Sequence, residues 1–182
     1  MKRTVLFVLG VLAVSTAPFA QTPDEPIEKA LAAAPRQMKE GATVIKWKPD
    51  NTYDTLKKGT NTLVCYDRSG DPGQQPFSVH CTSLANLPRV AQNRKFEAMA
   101  DKAARQAALD AAEKDGTRVK PEFGSLWLHL FGPDRAQARM HTTIAVPGAT
   151  TQSIGLPDNP KQGGAWLMDA GTSTAHIMTP GS

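Results

Sequence analysis

The chain has 182 residues, 40% of them apolar, with 21 Lys and Arg against 17 Asp and Glu and a net charge of +4. That length fits one folded domain with a core of ordinary size. The basic excess is small, interleaved with acids and free of any run of five like charges, which excludes an electrostatic nucleic-acid surface.

The first twenty residues, MKRTVLFVLGVLAVSTAPFA, place Lys2 and Arg3 before an apolar run from Val5 to Val14 and a small-residue tail from Ser15 to Ala20. This is the pattern of a secretory signal peptide, removed near Ala20, and it predicts a secreted or periplasmic domain over 21–182. The segment is too short to span a bilayer, which takes about 20 apolar residues, and no later segment approaches that length. No stable membrane insertion is therefore expected once the leader is gone. The absence of a cysteine near the cut argues against a lipid-modified N-terminus.

In TPDEPIEKALAAAPRQMKEG the cap candidates Thr22 and Asp24, Pro26 in the first turn, and Ile27, Ala30, Leu31 and Ala34 at helical spacing predict a short helix that Pro35 ends or kinks. ATVIKWK follows as a strand with Ile45 and Trp47 on one face, and KPDNTYD turns it back. NTLVCYD and QPFSVHC read as two antiparallel strands joined by the turn-forming Arg68–Gly73 segment. On the second of them Phe77, Val79 and Cys81 share one face, and Ser78 and His80 the other.

The only two cysteines, Cys65 and Cys81, predict a disulfide in an exported chain. A bridge closing such a loop stabilises by roughly 3 kcal/mol in the chain-entropy account. The pair lacks the C-x-x-C spacing of redox or zinc sites.

LPRVAQNRKFEAMADKAARQAALDAAEKDG is alanine-rich and ends at Gly116, which predicts one long helix from Pro88 to Lys114. Its packing face is read as Phe96, Met99, Ala100, Ala103, Ala104, Ala107 and Ala111, with Asp101–Arg105 and Asp110–Lys114 as ion pairs on the outside. GSLWLHLFGP carries Leu126, Leu128 and Leu130 on one side and Trp127, His129 and Phe131 on the other, as a central strand does. In ARMHTTIAVPG, Met140, Thr142, Ile144 and Val146 oppose Arg139, His141, Thr143 and Ala145, with one face wetted. After a loop rich in Pro and Gly, AWLMDAG and TAHIMTP supply two last strands, the second with Ala175 and Ile177 inward and His176 and Met178 opposite. The expected fold is α+β: a mainly antiparallel sheet, one long helix packed on it, and one disulfide-braced hairpin.

Chemistry is sparse. The strand histidines His129, His141 and His176 are the candidate ligands for copper or zinc, but none shows two-histidine spacing, and Met140 and His141 point to opposite faces. Asp169, Ser173 and His176 lie close in sequence without a nucleophile elbow or any other hydrolase motif. Asp50, Asp54, Asp67 and Asp71 fall in turns, and no glycine-rich phosphate loop is present. These features assign no catalytic residue, no metal and no cofactor. They favour an envelope protein that binds a small molecule or another protein. The alternative is a periplasmic hydrolase or a copper- or zinc-binding protein, which would need His129, His141 and His176 to converge.

Taken together, the LAAAPRQMKEGATV opening, the GTNTLVCYD and DPGQQPFSVHC hairpin and the GAWLMDAGTSTAHIMTP end resemble a group of small secreted bacterial proteins. That group shares an alanine-rich AAP start, a GTN…C…P…C segment and a closing Trp- and Met-containing stretch followed by His and Met. The chain departs from it at NTLVCY, where a Trp beside the first cysteine is expected, and at Val79–His80. The resemblance implies export and a patterned hairpin, and carries no activity.

Overall fold

A computed structural model describes residues 24–179; the leader read over residues 1–20 lies outside them. Eight strands form one sheet: β1 Thr43–Trp47, β2 Tyr53–Lys57, β3 Leu63–Asp67, β4 Phe77–Ser83, β5 Leu126–Gly132, β6 Arg139–Ala145, β7 Trp166–Met168 and β8 His176–Met178. Their order is β2-β1-β3-β4-β5-β6-β8-β7. Every neighbouring pair is antiparallel except β1 and β3.

The parallel pair needs a crossover, and the GTN segment seats it. A Cβ on Gly59 would lie 2.2 Å from the Gly41 carbonyl oxygen, so only glycine allows this close approach. The Thr60 and Asn61 amides both donate to Gly41 O. The Asn61 side chain donates to Met38 O at 2.8 Å and accepts from the Leu63 amide at 2.9 Å, tying the helical start of the chain to the entry of β3.

Alternation along the strands divides the core in two. On one face Val44, Leu63, Cys65, Phe77, Val79, Cys81 and Leu128 pack with Ala30, Leu31 and Ala33. Those three belong to helix α1, Asp24–Ala30, and the 3-10 turn that follows it; helix α2, Arg36–Lys39, comes next. The small alanines let this segment lie close on the sheet, and it supplies a layer of its own. On the opposite face Ile45, Trp47, Val64 and Tyr66 pack with Leu87 and Val90 of helix α3, Leu87–Glu97. Cys65 and Cys81 sit directly opposite each other on β3 and β4 and are joined by a disulfide. A third cluster, Val146, Ala149, Leu167 and Ala175, holds β7 and β8 against the loop containing helix α5, Thr151–Ile154.

The single long helix is not formed. The chain runs as α3 and a separate α4, Lys102–Lys114, with Ala98–Asp101 between them. Asp101 is the reason: it adopts extended geometry, and its carboxylate accepts the Ala104 amide at 2.7 Å. An aspartate that caps a new helix competes with continuation of the old one. The break also resets the packing face. Ala100, Ala103, Ala104, Ala107 and Ala111 are exposed, while Ala112 is buried with Ala108 and Leu109 half-buried beside it. Asp110 accepts from Gln106 Nε2 at 2.8 Å. Replacing Asp101 with Ala is expected to cost about 1 kcal/mol, read as a drop of about 2–4 °C in Tm. An unchanged or raised midpoint would show that the cap does not hold the break.

Candidate functional site

On the α3 face the strand register lines up Tyr66, His80, His129 and His141 across β3, β4, β5 and β6. The His80 and His129 rings stack with centroids 3.9 Å apart, Phe131 stacks on His129 at 4.3 Å, and Tyr66 on His80 at 5.7 Å. The Ser78 hydroxyl donates to Gln74 Oε1 at 2.9 Å. His129 Nε2 lies 3.0 Å from the same hydroxyl oxygen and is therefore its donor, since a hydroxyl carries one proton.

Burial, then His129, then Arg68 hold the His80 imidazolium well below its ordinary range. Burial, then Arg68 and His141, bring His129 down to about 4. Both rings are thus neutral aromatic packing at physiological pH. Among the described residues no group of three or more His, Cys, Asp or Glu is arranged to hold a metal ion.

His141, at the end of that row, and His176 both line a cleft of about 240 Å³ between α3 and strands β5, β6 and β8. His129 is not part of its lining. Trp127, His141, Thr143 and Ala145 reach it from the sheet, Arg89 and Asn93 from α3, and Pro121, Thr174, Ala175 and His176 complete the wall. His176 lies opposite Ala145, on the face that alternation assigned to it, and that face lines the cleft. Its Nδ1–H donates to Thr174 O at 2.7 Å, and Asp169 Oδ2 stands 3.8 Å from the same nitrogen. Ser173 is 5% exposed; its hydroxyl donates to Glu113 Oε1 and accepts from Arg89 Nη1. Asp169, Ser173 and His176 therefore form no nucleophilic triad, since the hydroxyl is directed to other partners.

The cleft wall is built from α3 and the segment that follows α4. Gln92 accepts from Arg118 Nη1 at 2.8 Å and from the Val119 amide at 2.9 Å, and donates to Thr117 O at 2.9 Å. Asn93 accepts from Arg118 Nη2 at 2.6 Å. Asn86, wholly buried, donates to Thr82 and Ser125 and accepts from the Glu122 amide. A buried amide whose oxygen and nitrogen are both partnered, as in Asn86, fixes its part of the wall in one geometry.

Arg89 is the wall's charged member. Its Nη1 donates to Val119 O at 2.6 Å and Ser173 Oγ at 2.9 Å, and its Nη2 to Thr174 Oγ1 at 3.0 Å. Burial first and the nearby Arg118 charge second pull its pKa down to about 10, against the opposing pull of Glu113. Burial raises the Glu113 carboxyl, but the hydrogen bonds from Ser173 outweigh it and leave the group below its ordinary value. Reading the sequence missed Arg89, Asn93 and Arg118. Nothing in LPRVAQNRK separates a buried arginine from a solvated one. The only local hint is that Arg89 and Asn93 stand four residues apart on one helix face.

Compared with family models, with curated proteins and with solved structures, the chain matches none of them.

Proposed function

We propose that the chain is an exported, non-catalytic binding protein whose cleft beside Trp127 takes a small molecule. One observation carries this reading. The cleft is preformed, with the half-buried Trp127 ring as its apolar surface beside a buried arginine already fixed by three hydrogen bonds. A concave, mainly apolar site with a few fixed polar groups is the usual form of a ligand pocket. Export is supported by the charged and apolar pattern of residues 1–20 and by the disulfide, which persists in oxidising compartments. No helix of the described residues is long and apolar enough to cross a membrane.

Amide and indole shift mapping with a library of small aromatic fragments tests the binding claim. Concentration-dependent shifts should concentrate on Trp127, Thr143, Thr174 and His176. Shifts scattered over other faces, or none, would contradict it. N-terminal sequencing of protein recovered from the envelope should begin near residue 21, and a chain that keeps its leader in the cytoplasm would overturn the export claim.

A further inference from the structure

The inference that follows rests on reading the cleft as a ligand site, and it concerns the charge of the occupant. Two arginine–carboxylate groupings lie along α3. In the first, Arg68 and Arg94 face Asp71 and Glu97 in direct ion pairs, two cations against two anions. In the second, Arg89 and Arg118, 3% and 8% exposed, have no carboxylate at ion-pair distance among the described residues. Glu113 reaches Arg89 only indirectly, through the Ser173 and Thr174 hydroxyls, and both arginines are held by neutral oxygens.

At Arg89 the one carboxylate within reach is the indirect Glu113. Arg118 feels both Glu113 and Glu97, but Glu97 is already paired directly with Arg68. The grouping keeps an excess of positive charge beside a concave surface. Buried charges in folded proteins are normally paired. Here the pairing is incomplete on the side that opens to the cleft, at Arg89, and a second cation raises the cost of leaving it so. We propose that the cleft binds a small organic carboxylate, its acid group beside Arg89 and Thr174 and its flat apolar part against Trp127. The aromatic surface of Trp127 in the lining favours an organic acid over an inorganic oxyanion, which would bury no apolar surface there. Thr174 Oγ1 already orients one guanidinium nitrogen, so the donor array is ordered before a ligand arrives.

The test compares benzoate, its neutral counterpart benzamide, and inorganic phosphate by titration of the mature protein, followed by NMR shifts of Trp127 and by calorimetry. Benzoate should bind about tenfold or more tightly than benzamide, the ratio expected of a charge-assisted contact, and more tightly than phosphate. Arg89→Lys, which keeps the charge and loses the fork, should weaken benzoate by a larger factor than benzamide, so that the ratio between the two probes falls. Equal binding of benzoate and benzamide at the cleft would overturn the carboxylate while the small-molecule reading stands. Phosphate binding as tightly as benzoate would overturn the organic part of the proposal. No cleft response to any of the three would overturn both readings. If Arg89→Lys does not fold, the comparison of the probes on the unaltered protein still decides.

Discussion

Reducing the Cys65–Cys81 bridge lowers the thermal midpoint of the protein by roughly 6–12 °C. The figure follows from about 3 kcal/mol of chain entropy returned to the unfolded state, at about 2–4 °C per kcal/mol for a domain of this size. The bridge joins directly opposed residues of β3 and β4, both within the face covered by the N-terminal helical segment. Cutting it leaves the strand ladder in place, so the loss should appear in the midpoint rather than in strand content. Thermal unfolding with and without reductant, and of the double variant Cys65→Ala with Cys81→Ala, provides the measurement. The two routes should agree, because both free the same sixteen-residue separation. An unchanged midpoint on reduction would show that the sulfurs are not joined in the protein.

That bridge was legible because strand alternation is a local signal. Phe77, Val79 and Cys81 announce their shared face by period two, and the turn residues between the cysteines announce the reversal. The same signal placed Trp127 and His129 opposite Leu126 and Leu128, and β5 lies in the middle of the sheet. It also placed His176 on the face away from Ala175, which is the face that meets the cleft.

Local signals failed where two local rules compete. Asp101 suits either an i,i+4 ion pair or a helix cap, and the amide of Ala104 decided for the cap. Once the helix broke there, the alanine stripe read from a continuous 3.6-residue period no longer described one surface, and α4 packs against α3 instead of the sheet. The covering of the second sheet face by α1 and its following turn had a signal in Ile27, Ala30 and Leu31, but an amphipathic stripe does not say which surface it will meet.

The cleft was the least legible feature. Arg89 meets Val119, Ser173 and Thr174 across thirty to eighty-five positions, and only the fold brings such distant partners together. The GTN segment shows the converse: three adjacent residues carry a close backbone approach and a side-chain clamp, so a short stretch quoted only for its resemblance proves to brace a crossover.

Acid weakens the protein in a window set by its histidine stack, which opens near pH 6.5, above the range in which carboxylates protonate. His129, with an ordinary value of 6.5, is brought down to about 4 in the fold, and His80 is shifted in the same direction. Above pH 6.5 the imidazoles are neutral in both folded and unfolded chains and contribute no pH dependence. As pH falls below 6.5 the unfolded chain takes up protons that the folded stack refuses, so stability falls with pH. The loss from His129 levels off below about 4, where its folded form protonates too. By pH 4.5 that residue alone should have removed on the order of 1–2 kcal/mol, solvent at its partly open ring screening part of the full shift, and His80 adds to the loss. Asp67 and Glu113, whose carboxyls are lowered in the fold, begin to act only at the foot of that window, because their unfolded values are 3.8 and 4.5. Urea midpoints at pH 7.5, 6 and 4.5 resolve the two ranges. The variant His129→Phe keeps an aromatic ring between His80 and Phe131 and gives up the Ser78 contact. It should therefore cost some stability at pH 7.5 and lose a large part of the slope between 6.5 and 4.5. Adding His80→Phe should flatten that interval further, and a slope that survives both changes would place the titrating groups outside the stack.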